Sequence, residues 1–340
     1  MLLDKKNEAD VKRYNEFVRN SPYAKIEQDM NWAIVKNNWD SNYFYIEEDG
    51  KIVAALSVIS VFDNRFNKKL YYAPRGPVCD IQKVDLVKKL LFEARDYAKE
   101  NNGFLLRIDP EIEYDEDIAK LYEENGIGFN RDPEISSQPL MSLVLDIKGR
   151  DIDEIFKNFS KNTRKAVRHS YRVGLTTRVG DRSDLKLFYD MIVVMSDRQG
   201  ISHRPYEYFE RIYDAFENNI RLSFTEFEGE PLCASMLLSY GDKCFAIYGA
   251  SNNKYRNMDQ NYQINFEEVK YAVENGFKEY DMGGIFSTDQ NDGLYAFKKK
   301  FTEDNVKNWI GEIDLVIDEE KYNEFIQIKK PHFQKKEEQD

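Results

Sequence analysis

The sequence predicts an α/β (α+β) protein of two similar domains, each built on a mixed β-sheet, and three observations support this fold class. The chain of 340 residues is longer than one compact domain usually is. Its composition, 41% hydrophobic and 32% charged with 22 Phe and 22 Tyr, is typical of a folded globular protein. The same order of β-hairpin, helix and strand occurs twice along the chain, which indicates a duplicated domain.

Each half of the chain contains a predicted β-hairpin. In residues 43–62, and again in residues 221–240, two apolar runs are separated by an acidic residue and a glycine. These turns are Asp49-Gly50 and Glu228-Gly229. Because glycine adopts the positive φ that a tight turn needs, the pattern is a strong hairpin signal.

A long helix and a short strand follow each hairpin. The helices are predicted over residues 84–103 and 263–277, and each ends at an Asn-Gly pair that favours a left-handed C-cap. Their apolar faces are Leu86, Leu90, Leu91, Ala94 and Ala98 in the first, and Ile264, Val269 and Ala272 in the second. The strands are expected to stop at Asp109 and Asp281. This order is typical of acyltransferases of the N-acetyltransferase (GNAT) type. A strand over 310–317 and a polar helix from about Asp318 are expected to pack back onto the first domain.

Charge and composition exclude several protein classes. The 49 basic and 61 acidic residues leave a net charge of −12, which argues against coating of nucleic acid or of an anionic membrane through the overall charge, while a local basic patch can still bind either. No apolar run reaches the roughly 18 residues of a membrane helix, and the N-terminus is too charged for a signal peptide. The three cysteines lack metal-site spacing and indicate a reduced, cytosolic chain. The three scattered histidines predict neither a zinc site nor a catalytic triad, and no P-loop or dinucleotide motif occurs.

One segment departs from the acidic character of the chain. Residues 155–172 contain no acidic residue, and on a single helix their basic residues form one face. This basic stripe consists of Lys157, Lys161, Lys165 (or Arg164), Arg168 and Arg172. A solvated surface helix is one interpretation. Because such helices usually mix charges, docking of a polyanion is favoured.

A second basic cluster, residues 293–301, follows a strand and the pair Gly283-Gly284, where a loop can approach a ligand closely. On a helix, Lys298 emerges through an apolar surround formed by Leu294, Tyr295 and Phe301. Such a lysine can hold a phosphate or carry charge toward a polarised carbonyl. The alternative is a surface lysine that extends its ammonium to water.

Two further segments place a cation beside aromatic rings. In residues 28–39, Trp32, Lys36 and Trp39 stand at helical spacing, which suits a nucleotide or sugar phosphate or else an ordinary amphipathic helix. In residues 203–213, Arg204 precedes a predicted helix and Tyr208 lies one turn into it. Arg204 is a candidate phosphate ligand, although a loop salt bridge is an equally common role.

Seven segments in order, from residue 21 to residue 317, resemble the Fem (FemABX) aminoacyltransferases of peptidoglycan synthesis. They include YYAPRGPV, FLLRIDPE, ISHRPYEYF, YDMGGI and DGLYAFKKKF, and the resemblance is greatest to the short FemX type. It implies two GNAT-like domains, the second inserted into the first. The first, precursor-binding domain would comprise residues 1–147 plus 313–340, and the second, with the tRNA-facing basic helix, residues 148–312. Only a dozen residues separate Tyr208 from the hairpin at Arg221, so the coiled-coil arm of longer members is expected to be missing.

The resemblance also implies an activity and its residues. An amino acid (Ala, Ser or Gly) would move from aminoacyl-tRNA to the side-chain amine of the third stem-peptide residue of UDP-MurNAc-pentapeptide. Lys36 and Arg204 would hold the uridine diphosphate, with Trp39 and Tyr208 lining that site. The reaction centre would contain Lys298, Phe297 and Tyr248. Asp109 would correspond to a carboxylate that is a candidate general base in this family. The basic stripe would contact tRNA.

The route of the proton and the reaction itself each have more than one interpretation. The attacking amine must lose a proton, either to Asp109 or through the vicinal hydroxyl of the tRNA ribose, and the second route is favoured with Asp109 positioning the amine. Rival functions are lipid II-dependent glycyl or aminoacyl transfer, coenzyme A-dependent N-acyl transfer, and non-catalytic binding of RNA or precursor. No cofactor, metal or DNA partner is expected. We expect a cytoplasmic monomer, with attachment at the inner face of the membrane as an option.

Overall fold

The computed structural model describes residues 1–252 and 254–337, without the side chains of residues 256 and 330–337. The helices are α1 Glu8–Asn20, α2 Trp32–Val35, α3 Val84–Glu100, α4 Glu116–Glu124, α5 Ile152–Asn158, α6 Lys161–Arg172, α7 Leu185–Gln199, α8 Tyr206–Ala215, α9 Gln260–Glu274, α10 Gly293–Lys298 and α11 Glu319–Glu337. The strands are β1 Asp40–Glu48, β2 Lys51–Asp63, β3 Lys68–Arg75, β4 Gly103–Pro110, β5 Met141–Asp146, β6 Thr176–Gly180, β7 Ile220–Phe227, β8 Glu230–Tyr240, β9 Lys243–Ser251, β10 Glu279–Ile285, β11 Val306–Asn308 and β12 Ile313–Val316. Both predicted hairpins, β1–β2 and β7–β8, are confirmed.

The chain forms two compact units, Met1–Leu140 with Asn308–Asp340, and Met141–Lys307. The first unit holds a five-stranded sheet in the order β1-β2-β3-β4-β12, in which β3 and β4 are parallel and the other pairs antiparallel. Arg107 of β4 makes a bidentate pair with Asp314 of β12, at 2.7 Å from each carboxylate oxygen. This buried pair fixes the C-terminal strand in the first sheet.

Helix α3 packs on the first sheet through its apolar side. Leu90, Leu91, Ala94 and Ala98 are buried as predicted, but Val87 is fully buried where Leu86 was expected. The helix then turns into β4 through Asn102, whose φ is 63°. A Cβ on the next residue, Gly103, would lie 2.6 Å from the carbonyl oxygen of Ala98, so glycine is needed for this close approach.

The second unit holds a seven-stranded sheet in the order β11-β5-β10-β9-β8-β7-β6. Strands β9 and β10 are parallel, and their pairing ends where Asp281 lies opposite Phe245. Helix α9 packs on this sheet through Ile264, Val269 and Ala272, which are buried as predicted. The two mixed sheets confirm the α/β class of the chain.

The strand that was expected to stop at Asp281 continues to Ile285, so that prediction is wrong. Beyond Asp281, β10 no longer pairs with β9 but stays paired with β5, with a register shift between Asp281 and Gly284. The pair Gly283-Gly284 therefore lies in a bulged strand and not in a loop, and Gly283 has a φ of 83°. A bulge of this kind bends the strand.

None of the helices in the described part of the chain is both long and apolar enough to cross a membrane. Helix α8 ends at Ala215 and β7 begins at Ile220, with a single 3-10 turn between them, so this described segment contains no coiled-coil arm, as predicted. The cysteines Cys79, Cys233 and Cys244 are buried free thiols.

Candidate functional site

The second unit contains a cavity of about 470 Å³ at the place where β9 and β10 separate. We call it the wedge cavity, and it is walled by β8, β9, α9, α10 and the end of α7. Its polar and aromatic lining includes Ser235, Tyr248, Glu268, Phe297 and Lys298. Three residues predicted from the sequence, Tyr248, Phe297 and Lys298, therefore share one cavity.

Lys298 is the last residue of the short helix α10, which Asp292 caps by accepting a hydrogen bond from the Tyr295 N–H at 2.8 Å. The Lys298 Nζ donates to the carbonyl oxygen of Gly284 at 2.9 Å. Burial lowers the pKa of Lys298 to about 8, although the charges of Asp281 and Asp292 oppose this. The side chain is therefore an ammonium held at the bulge of β10 and still cationic at neutral pH.

Asp281 is a buried charge on the same bulge. Its Oδ1 accepts the N–H of Gly283 at 2.6 Å, and its Oδ2 lies 3.3 Å from the Nζ of Lys243. The aspartate predicted as the end of the strand thus shapes the bulge that carries the Gly284 carbonyl.

A row of neighbouring aromatic rings extends from the wedge cavity to Arg204. The ring of Tyr248 lies 5.0 Å from that of Phe209 and 6.4 Å from that of Tyr208. Tyr208 is buried on α8, and the guanidinium of Arg204 lies 5.5 Å from its ring. Arg204 is exposed just before the helix, as predicted. The fold thus places Tyr208 between Arg204 and Tyr248, next to both side chains.

Lys36 and Trp39 lie in the first unit, and their predicted helical alignment is wrong. Helix α2 ends at Val35, so Lys36 is its C-cap residue, and the N–H of Trp39 donates to the carbonyl oxygen of Lys36 at 2.8 Å. The chain turns here because β1 begins at Asp40. The Nζ of Lys36 still lies 5.9 Å from the ring of Trp32, so a cation stands beside an aromatic surface.

Asp109 lies at the end of β4 in the first unit and is 3% exposed. Its Oδ2 accepts from the Tyr72 hydroxyl and its Oδ1 from the Arg75 N–H, both at 2.8 Å. Burial raises the pKa of Asp109 to about 7, and the Arg75 guanidinium, 3.9 Å away, opposes this rise. Arg75 itself has a φ of 58°, so Asp109 holds a backbone conformation that non-glycine residues rarely adopt.

The basic stripe is divided between two helices, which corrects the prediction of one continuous face. Helix α5 ends at Asn158, and α6 begins after Ser160, whose hydroxyl accepts the N–H of Thr163 at 3.1 Å. Lys157 belongs to α5, and Arg164 turns back to donate to the Lys157 carbonyl oxygen at 2.5 Å. The remaining residues, Lys161, Lys165, Arg168 and Arg172, are exposed along α6.

A second cavity, of about 710 Å³, lies at the beginning of α6. Ser160, Thr163, Lys299 and Lys300 line it, and so do the carboxylates Glu303 and Asp304. The Nζ of Lys300 donates to the hydroxyl of Tyr262 at 2.8 Å. The two basic segments of the sequence therefore meet at one cavity of the second unit.

The profile of the FemAB family matches residues 10–230 and 223–330 of this sequence, which together are most of the chain. The chain belongs to the FemAB family.

Relatives within the FemAB family cover nearly the whole chain. A UDP-N-acetylmuramoylpentapeptide-lysine N(6)-alanyltransferase of Weissella viridescens is 35% identical over 93% of this chain and 96% of its own length. A lipid II:glycine glycyltransferase of Staphylococcus epidermidis is 25% identical over 92% of each chain. Both relatives are named as transferases.

Solved structures show the same fold. The crystal structure of FemX matches with a TM-score of 0.85 and 22% identity, over 96% of this chain and 100% of its own. A tandem GNAT protein from the clavulanic acid biosynthesis pathway matches with a TM-score of 0.55 and 9% identity, over 93% of this chain and 98% of its own. The predicted fold of two GNAT-like domains and the resemblance to the Fem proteins are thereby confirmed.

The sequence analysis did not identify two buried polar residues of the wedge cavity, Glu268 and Ser235. A signal for the first was present. Glu268 lies four residues after Ile264 and next to Val269, so it falls on the apolar face of α9, where a glutamate is exceptional. Ser235 lies on a strand and gave no comparable signal.

Proposed function

We propose that this protein transfers an amino acid from aminoacyl-tRNA to the side-chain amine of the third stem-peptide residue of UDP-MurNAc-pentapeptide. The observation that carries the proposal is the 35% identity, over 93% of the chain, to a relative that is named as a UDP-N-acetylmuramoylpentapeptide-lysine N(6)-alanyltransferase. We further propose that the protein is a cytoplasmic monomer, with peripheral attachment at the inner face of the membrane as an option. Alanine, serine and glycine are the proposed donors.

The wedge cavity supports acyl-transfer chemistry at Lys298. In aminolysis, the acceptor nitrogen attacks the ester carbonyl carbon and forms the new C–N bond, and negative charge develops on the carbonyl oxygen. The C–O bond to the tRNA ribose then breaks, and the ribose oxygen takes a proton as it leaves. A fixed ammonium such as that of Lys298 stabilises the oxyanion, commonly the largest contribution to catalysis. Phe297 and Tyr248 line the same cavity and would hold the acceptor end of tRNA.

The attacking amine must also lose a proton. Both oxygens of Asp109 already accept hydrogen bonds within the first unit, and the carboxyl is almost fully buried. This supports a positioning role for Asp109 over a role as general base. We propose that the vicinal hydroxyl of the tRNA ribose relays the proton from the amine to the leaving oxygen.

We propose two sets of phosphate-binding residues, one for the precursor and one for tRNA. Lys36 and Arg204 would bind the diphosphate of the precursor, with the rings of Trp39 and Tyr208 beside its uridine part. The exposed stripe on α6, together with Lys299 and Lys300 at its beginning, would bind the tRNA backbone. Lys157 contributes from the end of α5.

The experiment is transfer from a mixture of charged tRNAs to UDP-MurNAc-pentapeptide, with the product analysed by mass spectrometry. We expect a product heavier by one aminoacyl residue, and its mass identifies the amino acid. Lys298→Met is the matched control, and it should form the product about 10²–10³-fold more slowly. Absence of any product with wild-type protein would overturn the proposal.

A second candidate function is transfer to the lipid-linked precursor. It is favoured by the 25% identity to a lipid II:glycine glycyltransferase. Parallel reactions with lipid II and with the soluble precursor distinguish the two, since only one acceptor is expected to give efficient transfer. A reaction with acetyl-coenzyme A as donor tests the third alternative, N-acyl transfer.

A further inference from the structure

Glu268 is a buried acid, and only one of its two carboxyl oxygens has a hydrogen-bond partner among the described residues. It is 2% exposed, it lines the wedge cavity with Lys298, and its Oε2 accepts from the Tyr280 hydroxyl at 2.6 Å. Its Oε1 has no hydrogen-bond partner among the described residues. Burial raises the pKa of Glu268, while Ser235, Tyr280 and the charge of Arg221 act against that rise.

Ser235 presents a second unused polar atom to the same cavity. It is 6% exposed on β8, and its hydroxyl lies close enough to Glu268 to lower the pKa of that carboxyl as a hydrogen-bond donor does, although its Oγ has no partner at full hydrogen-bonding geometry in the described part of the chain. Helix α9 and strand β8 thus contribute one unpartnered oxygen each to the wall that Lys298 also lines. Two such atoms on one wall indicate a site for a ligand that donates hydrogen bonds.

A structural role explains these atoms poorly. Buried polar groups that serve the fold alone are hydrogen-bonded, because an unpaired one is destabilising. Asp109 is an example within this chain, since each of its oxygens accepts a hydrogen bond at 2.8 Å. Glu268 is buried to a similar degree but keeps one oxygen unpaired beside a cavity.

The chemistry of the donor substrate suggests what fills the site. The aminoacyl ester carries an ammonium group on the carbon next to its carbonyl, and the carbonyl is the group assigned to Lys298. An ammonium offers three N–H donors, and a buried carboxylate and a hydroxyl are suitable acceptors. A cation at this position also compensates the buried negative charge of Glu268, to which the charge of Arg221 already contributes.

We propose that Glu268, together with Ser235, binds the α-ammonium of the transferred aminoacyl group in the wedge cavity. The inference rests on the proposed function and deepens it by assigning the residues that recognise the donor as an amino acid. Tyr280 is the positioning residue, since its hydroxyl holds the Oε2 of Glu268. The enzyme would thus prefer aminoacyl over hydroxyacyl donors.

The test compares alanyl-tRNA with lactyl-tRNA, in which a hydroxyl replaces the α-ammonium. For the wild-type protein we expect kcat/KM to favour the alanyl donor by about tenfold to a hundredfold, the range for a charge-assisted hydrogen bond. In Glu268→Gln this preference should fall to within about threefold, through loss of alanyl transfer while lactyl transfer persists. Ser235→Ala should give a smaller change in the same direction.

The matched control is Glu274→Gln, which makes the same change at an exposed position of α9 and should keep the wild-type preference. An unchanged preference in Glu268→Gln would overturn the inference and leave the proposed function intact. Failure of the wild-type protein to use either donor would instead overturn the proposed function.

A measurement on the wild-type protein alone covers the case in which Glu268→Gln does not fold. Stable amides of 3′-amino-3′-deoxyadenosine with alanine and with lactate are compared as competitors of alanyl transfer. We expect the alanyl amide to inhibit at least about tenfold more strongly. Equal inhibition by the two amides would contradict the inference.

Discussion

The ammonium of Lys298 donates a hydrogen bond to the carbonyl oxygen of Gly284, 2.9 Å away. Gly284 lies on the bulge of β10, and Lys298 is the last residue of the helix that follows this strand. The contact therefore fixes the ammonium relative to the sheet at the point where β9 and β10 separate.

Replacement of Lys298 by methionine should lower kcat by about 10²–10³-fold, equivalent to roughly 2.7–4 kcal/mol of transition-state stabilisation. Methionine keeps most of the volume of the stem, so folding and the KM for the UDP-precursor should barely change. Steady-state kinetics with both substrates measure these effects. Lys270→Met, at a partly exposed position of α9 whose side chain is 42% exposed, is the control, and equal losses in the two variants would refute the assignment of Lys298.

The pH profile should report the lowered pKa of Lys298. Its cationic form predominates below the pKa of about 8 and is lost as the pH rises through that value. Since the cation is the active form, kcat/KM should fall above about pH 8. In Lys298→Arg the side chain stays charged, so this descending limb should disappear even if the rate is lower. A limb that remains unchanged in the arginine variant would assign the titration to another group.

Asp109→Asn should cause a smaller loss of kcat than Lys298→Met and should keep the acidic limb of the pH–rate profile. The amide can still accept from the Arg75 N–H and can donate to the Tyr72 hydroxyl, so the local network survives. A true general base would instead cost about 10²–10⁴-fold and remove that limb. That second result would make Asp109 the base and exclude proton relay by the ribose.

Arg204→Ala and Lys36→Ala should each raise the KM for the UDP-precursor and leave the KM for charged tRNA unchanged. Loss of a charge-assisted contact to phosphate should cost roughly 1.5–3 kcal/mol. The measurement is the pair of Michaelis constants for each variant. Weaker use of tRNA by Arg204→Ala, with normal use of precursor, would show that this assignment is wrong.

Charge reversal at Lys161 and Arg168 should flatten the salt dependence of tRNA binding while precursor binding persists. Each contact with a phosphate releases counterions from the RNA. The dependence of the tRNA binding constant on salt concentration therefore becomes steeper with the number of such contacts. Reversal of two exposed lysines in the first unit, Lys12 and Lys120, makes the same change in net charge and should leave the slope unchanged. If the α6 variant also keeps its slope, the stripe is an ordinary solvated surface.

Much of the site follows from short-range signals. Arg204 stands before α8 and Tyr208 within it because proline at position 205 and the apolar spacing that follows start a helix there. The break in the basic stripe carried a weaker signal, since Ser160 caps α6 only because the chain bends at Phe159 to bury that ring. Similarly, the helix at Trp32 ends at Val35 because the neighbouring chain must enter β1.

The sequence by itself determined the repeated hairpin–helix–strand units, because glycine turns and apolar periodicity act over only a few residues. Only the tertiary structure decided how far β10 extends, since its continuation past Asp281 depends on pairing with β5, which is far away in the chain. For the same reason it decided that Lys298, Ser235 and Glu268 line one cavity. Burial by distant elements also shifts the pKa values of Lys298 and Asp109, because desolvation depends on what packs around a group and not on its neighbours in sequence.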